Sequence, residues 1–191
     1  MSPYNKYPLV LGSKSPRRKY LMEQAGFQFR MITKDVEEVF PDELPVREVA
    51  PYLAQLKAEA ILPEVGKEEL VITADTVVLL DNKIYGKPND IIDAKRILGE
   101  LSGKVHEVIT GVCLMSTSKT EGFSETTKVH FAALSEAEID WYVHHYEVMD
   151  KAGAYGIQDG IGLIGIERID GCYFNVMGLP VHRLYQALLN F

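Results

Sequence analysis

The sequence predicts an α/β protein whose mixed sheet is flanked by helices, and three observations carry that expectation. Short apolar runs such as Pro8-Leu9-Val10-Leu11 alternate along the chain with segments of helical periodicity. Some neighbouring strand-like runs are separated only by turn residues, as at Asp81-Asn82, so antiparallel hairpins are expected beside parallel crossovers. No repeat, low-complexity tract or linker-like stretch interrupts the 191 residues, so residues 1–191 are expected to form a single domain able to bury a core.

Each element has its own local reason. After the opening strand, Ser15-Pro16 reads as an N-cap followed by proline at the first helical position, and Gly26 sits where a C-terminal cap belongs. "FQFRMI" reads as a strand, and "REVAPYLAQLKAEAILPEV" as an amphipathic helix with Pro51 near its first turn. "LVITADTVVLLDNKIYGKP" is the most strand-like stretch, turning at Asp81-Asn82. "IIDAKRILGELSG" reads as a helix ended by Gly103, and "HEVITGVCLM" as a strand. "GFSETTKVHFAAL" alternates polar with apolar, as a half-exposed strand does. Ser135-Glu136-Ala137-Glu138 is a capping-box pattern opening a helix through Tyr146. "GIGLIGIERIDG" is expected to be a further strand, and "PVHRLYQALLNF" a closing helix behind Pro180.

Composition narrows the function. Hydrophobic content of 47% and charged content of 25% are ordinary for a soluble protein. No apolar run is long enough to span a membrane, and "MSPYNKYP" lacks a signal-peptide core, so a cytoplasmic setting is expected. Cys113 and Cys172 lack metal-type spacing and read as reduced thiols. A net charge of −7 without a broad basic patch argues against a nucleic-acid polymer as partner. A small basic cluster on an acidic protein suits a small anionic ligand.

That cluster lies in "GSKSPRRK". Arg17, Arg18 and Lys19 fall in the first turn of a helix, whose N-terminus carries partial positive charge and disfavours bases. Either a bound anion removes the conflict or the side chains turn to solvent. The segment lacks the second glycine of a P-loop, so Walker-type phosphoryl transfer is not supported. Asp75 falls inside the apolar run "VITADTVVLL", where a carboxylate is costly unless paired, hydrogen-bonded or bound to a metal. It reads as a metal ligand or general base on a rigid strand, or else as part of a bulge. Lys87, between Gly86 and Pro88, is either returned beside Asp75 by the hairpin or left as a surface charge. Lys57 and the Glu37-Glu38 pair have solvated alternatives of the same kind.

Other signals fall away. Gly160–Gly165 matches GxGxxG, but no helix pattern opens after it and no acid follows Asp170 to hold a ribose. His144 and His145 are helix neighbours that cannot face one metal together. No GxSxG motif appears. Basic residues, a buried acid and no covalent nucleophile suit metal-assisted attack of water on a phosphate ester or anhydride.

The segments "GSKSPRR", "LAQLKAEA", "ITADTVV", "GKPND", "LSGKVHEVITGV", "DKAGAYGIQ" and "NVMGLP" occur in order. Together they resemble the Maf family of nucleotide pyrophosphatases from about Leu9 to near the C-terminus. The resemblance implies an elongated fold like that of the inosine-triphosphate pyrophosphatases, with a cleft between two lobes. It also implies hydrolysis of nucleoside triphosphates to the monophosphate and pyrophosphate with a divalent metal, Mg or Mn, usually in a homodimer. Asp75 matches the family's proton acceptor, and Arg17, Thr76 and Gln158 match positions associated with nucleotide choice. Ser13, Arg18, Glu38, Lys57 and Lys87 match other pocket positions, implied to touch phosphate or metal, with Glu38 and Asp75 as the metal ligands. "DKAGAYGIQ" resembles the branch acting on dTTP and UTP. The alternatives are a nucleotide-binding regulator of cell division without turnover, a pyrophosphatase for purine or modified nucleotides, and a plain phosphomonoesterase. Two positions depart from the family's habit. Gly12 stands where Ala is common and is expected to matter little; Asp159 stands where Gly is usual and is expected to add a charge beside the base pocket.

Overall fold

The computed structural model describes residues 6–191. The first five residues of "MSPYNKYP", the segment read as lacking a leader, lie outside the described residues. The apolar runs become strands β1 (Leu9–Gly12), β2 (Phe29–Met31), β3 (Leu70–Leu80), β4 (Lys83–Tyr85), β5 (Val105–Met115), β6 (Thr120–Phe131) and β7 (Ile166–Asp170). One mixed sheet holds them in the order β2-β1-β3-β5-β6-β7, with β4 paired to β3. β1 is parallel to β2 and to β3, whereas the β3–β4 and β6–β7 pairs are antiparallel. The β3–β4 turn takes positive φ at both Asp81 (51°) and Asn82 (61°), the two-residue geometry that asparagine and aspartate tolerate and that matches strand twist. The expected α/β class and mixed sheet are what the chain adopts.

The α-helices are α1 (Pro16–Gln24), α2 (Val49–Ile61), α3 (Ile91–Leu101), α4 (Glu136–His145), α5 (Gly160–Ile164), α6 (Tyr173–Val176) and α7 (Val181–Asn190). Both halves of the predicted capping box form, with Ser135 Oγ accepting from Glu138 N–H and the Glu138 carboxylate accepting from Ser135 N–H. None of the described helices is long and apolar enough to cross a membrane.

The chain divides into two compact units. The first takes the chain through Asp75 together with Thr110–Glu125 and Gly178–Phe191. In one of its cores, Ala54, Ala58 and Ile61 of α2 pack with Val71 of β3 and with Cys113 and Met115 of β5. Gly111 of β5 sets this closeness: a methyl group there would lie 2.2 Å from the backbone nitrogen of Pro51, so only glycine lets α2 rest on the strand. The second unit takes Thr76–Ile109 and Thr126–Met177. Its core joins Leu98 and Leu101 of α3, Tyr142 of α4, and Val129 and Phe131 of β6 with Tyr155 and Ile161. Fully burying each such large apolar side chain contributes about 1.5–3 kcal/mol.

One element differs from expectation. "GIGLIGIERIDG" is not a single strand: its first half is the short helix α5, and only Ile166–Asp170 pairs as β7. The cause is glycine packing that periodicity does not reveal. A methyl group on Gly162 would lie 2.3 Å from the Ile157 carbonyl, so the chain folds back on itself there instead of extending. The GxGxxG spacing therefore marks a tight helical turn, with no dinucleotide-binding βαβ unit around it.

Candidate active site

In the first unit, β3 and α2 build the centre from side chains one repeat apart. Thr73 and Asp75 are two residues apart on β3 and point to the same face; Ala54 and Lys57 are three apart on α2 and share a face. The Thr73 hydroxyl donates to the Ala54 carbonyl at 2.6 Å, which locks helix to strand. One step along each element, Lys57 Nζ then donates to Asp75 Oδ1. The same ammonium lies 2.6 Å from Glu38 Oε1, brought in by the loop after β2. Lys57 thus stands between two carboxylates. β3 runs on through Asp75, which is only 8% exposed.

Helix α1 adds the basic cluster. Ser15 caps it, its Oγ accepting from Arg18 N–H at 3.4 Å, and the buried Ser13 hydroxyl accepts from Ser15 N–H at 3.1 Å. The three bases of the first turn go separate ways. Lys19 pairs with Glu23 one turn on, at 3.7 Å in solvent. Arg18 turns inward: Nε donates to the Gly178 carbonyl and Nη1 to the Ala74 carbonyl, both at 2.8 Å. Burial pulls its guanidinium below the ordinary arginine value, while the negative charges of Asp75 and Glu38 oppose that pull. Arg17 stays half-buried at the helix N-terminus.

Glu38 and Asp75 are hard oxygen donors on either side of one cation, a donor set that suits Mg²⁺ completed by phosphate oxygens and water. Among the described residues, no group of three or more His, Cys, Asp or Glu gathers as a self-sufficient metal cage. The donors fit a cation that substrate helps to hold.

Thr76, Lys87 and Gln158 belong to the second unit. Thr76 directly follows Asp75 on β3. Lys87 is exposed on a fixed backbone, for the Gly86 carbonyl accepts from Gly153 N–H at 3.0 Å and Pro88 is buried. Gln158 lies in the turn before α5, and its Oε1 is buried with no hydrogen-bond partner. An orphaned buried acceptor costs roughly 1–3 kcal/mol unless a ligand satisfies it.

Sequence reasoning missed the residues that hold this turn. The Tyr142 hydroxyl accepts from Gly156 N–H at 3.0 Å, and the Tyr155 hydroxyl meets His106 Nε2 at 2.7 Å. Lys151, only 6% exposed, lies 3.5 Å from Asp159 Oδ2. The Asp159 charge, expected beside the base pocket, faces this buried ammonium. The one available signal was a lysine set against the small apolar run "AGAY".

Comparison with known proteins gives the family. A dTTP/UTP pyrophosphatase of Phocaeicola vulgatus is 50% identical over 184 residues, covering 96% of this chain and 95% of its own. Another dTTP/UTP pyrophosphatase, from Parabacteroides distasonis, is 46% identical over 187 residues and 97% of each chain. Among solved structures, the Staphylococcus aureus Ham1 protein aligns with 65% of this chain and 72% of its own, at 16% identity and a TM-score of 0.46. The family profile described as Maf-like protein matches residues 8–191, and the chain belongs to the Maf family.

Proposed function

We propose that this protein hydrolyses nucleoside triphosphates, dTTP and UTP foremost, to the monophosphate and pyrophosphate. The observation that carries the reading is Asp75, a nearly buried carboxylate on an unbroken apolar strand, gripped by Lys57 with Glu38 on its other side. Relatives 46–50% identical over nearly the whole chain bear the name dTTP/UTP pyrophosphatase, which supports both the reaction and the pyrimidine preference. The Maf-like profile spanning 8–191 supports treating residues 1–191 as one functional domain.

In this reading Asp75 orients the attacking water and takes its proton as the water closes on the α-phosphorus. Lys57 holds the Asp75 carboxylate in one rotamer and, with Lys87, offsets triphosphate charge. Arg17, in the first turn of α1, faces the phosphates. Arg18 braces the centre through the carbonyl just before Asp75. Ser13 fixes the turn that leads into α1. A divalent cation, Mg²⁺ or Mn²⁺, held by Glu38, Asp75 and phosphate oxygens, would stabilise charge on the departing pyrophosphate. Gln158 Oε1 accepts from the base, with Thr76 beside it in the choice of nucleotide. The reading extends to a homodimer, as the family resemblance implies, and to a cytoplasmic setting.

The test incubates the purified protein with a panel of nucleoside triphosphates and Mg²⁺ or Mn²⁺, separating pyrophosphate from orthophosphate. Pyrophosphate chiefly from dTTP and UTP is expected, with Asp75→Asn folded, able to bind nucleotide and slower by at least about 100-fold. Normal turnover by Asp75→Asn removes the assigned base. Orthophosphate as product makes the protein a phosphomonoesterase, and binding without turnover makes it a regulator.

A further inference from the structure

The charges around Asp75 already balance within the protein. Lys57 Nζ lies 2.6 Å from Glu38 Oε1 and donates to Asp75 Oδ1 on its other side. Arg18 is the second cation of the group, since the charges of Asp75 and Glu38 both act on its guanidinium. Arg17 stands near enough to act on Arg18 as well. The two carboxylates therefore meet at least as much positive charge as they carry. The cations differ in freedom. Arg18 is a planar fork fixed to the Gly178 and Ala74 carbonyls, at 2.8 Å each. Lys57 is an ammonium on a flexible four-carbon stem, its backbone set by α2 and its tip held by the two carboxylates.

Those same carboxylates are the donors assigned above to a divalent cation. Mg²⁺ draws its oxygen ligands to about 2.0–2.1 Å. Nζ stands 2.6 Å from Glu38 Oε1, so ammonium and metal compete for the point between the two acids. A metal entering alone has to expel a paired ammonium, and it adds two positive charges with no new anion to answer them. A triphosphate changes both conditions. Its oxygens accept the ammonium that the carboxylates release, and its charge answers that of the metal. The exchange has an open side: the Glu38 side chain is 43% exposed against 11% for Asp75.

We propose that Lys57 is a positioning residue that occupies the divalent-cation position between Glu38 and Asp75 until a nucleoside triphosphate binds, so that the metal enters the centre with the nucleotide and not before it. The inference rests on the pyrophosphatase reading above, with Glu38 and Asp75 as metal donors, and deepens it. Before substrate arrives, Lys57 holds the two acids together against their mutual repulsion. Once the triphosphate is bound, its ammonium turns to the phosphate oxygens. Removing a lysine of purely structural role would weaken metal binding or leave it unchanged. Removing a placeholder strengthens it.

The experiment titrates Mn²⁺ into nucleotide-free wild type, Lys57→Met, Lys57→Arg and a double variant combining Lys57→Met with Glu38→Gln. Loss of the free-ion EPR signal reports binding, and thermal melting checks the fold. Wild type is expected to bind Mn²⁺ weakly. Lys57→Met keeps the stem, removes the charge and tightens binding roughly tenfold or more. Mn²⁺ then also raises the melting temperature of that variant. Lys57→Arg keeps the charge and binds as weakly as wild type. The double variant loses the gain. Lys57→Gln gives the same reading should Lys57→Met fold poorly. Equal Mn²⁺ affinities in wild type and folded Lys57→Met overturn the placeholder and leave the pyrophosphatase reading to the nucleotide panel. A gain that survives Glu38→Gln puts the ion elsewhere and likewise overturns it. No pyrophosphate from the panel, with the gain in Lys57→Met present, overturns the pyrophosphatase reading and with it the coupling to nucleotide.

Discussion

Arg17 and Arg18 are neighbours at the start of α1, yet their surroundings assign them different work. Two Arg18 nitrogens donate to the carbonyls of Ala74 and Gly178, one of them directly before Asp75 on β3. A planar fork reaches both carbonyls at once, whereas an ammonium is a single point of donation. Arg18→Lys is therefore expected to lower stability by about 1–2 kcal/mol and to reduce kcat, because the strand beside Asp75 loses a tie. Urea unfolding paired with steady-state kinetics checks this. A variant that raised KM for nucleotide but melted like wild type would make Arg18 a phosphate contact instead of a brace. At the same scale, Gly12 is less neutral than its place in the motif suggested. A methyl group there would lie 2.4 Å from Ile61 Cδ1 and 2.7 Å from Thr73 Cγ2, and Thr73 is the residue that locks β3 to α2.

Among elements, β5 enters the second unit through His106, a buried titratable group lodged against Phe131 and Tyr155. Burial, and secondarily the charge of His130, pushes its pKa down to about 4 from 6.5, so the ring is neutral in the folded protein at pH 7. Unfolding frees the ring to bind a proton near pH 6.5. The stability tied to keeping it neutral is thus complete above that value and is lost as pH falls toward about 4. On the order of 2–3 kcal/mol belongs to this window. His106→Gln can still hydrogen-bond the Tyr155 hydroxyl but does not titrate. Urea unfolding at pH 7 and pH 4.5 should show wild type losing about 2 kcal/mol more than this variant. Parallel losses would place the acid sensitivity among the carboxylates. His106 and Tyr155 also show where reading the sequence stops. The capping box at Ser135, the Asp81-Asn82 turn and the misplaced charge of Asp75 were legible because each is a local pattern with a local cause. Helix α5, the His106–Tyr155 tie and the Lys151–Asp159 pair arise from residues brought together by the fold, and the local apolar pattern gave the wrong element for 160–164.

For the whole molecule, the question is whether two cores unfold as one. β3 places Val71 in the first core and Val78 and Leu80 in the second; β5 places Cys113 and Met115 in the first and Val108 in the second. Losing either core frees the ends of strands that the other requires, so a single cooperative transition is expected. Each core carries its own reporter. Cys113 is buried in the first, and burial, aided by the nearby Glu59 charge, raises its thiol to about 11, which leaves almost no reactive thiolate in the folded protein at pH 8. Trp141, the chain's one tryptophan, sits on α4 in the second unit, stacked on His145. Cys172 is only partly covered and is expected to react first with a thiol reagent, with Cys113 following at the rate of unfolding. Across a urea series, Cys113 labelling and Trp141 fluorescence should share one midpoint. Separate midpoints would mean that β3 frays at one end while it holds at the other. Asp75 closes the first unit's share of β3 and Thr76 opens the second's, so such a boundary would fall directly at the proposed base.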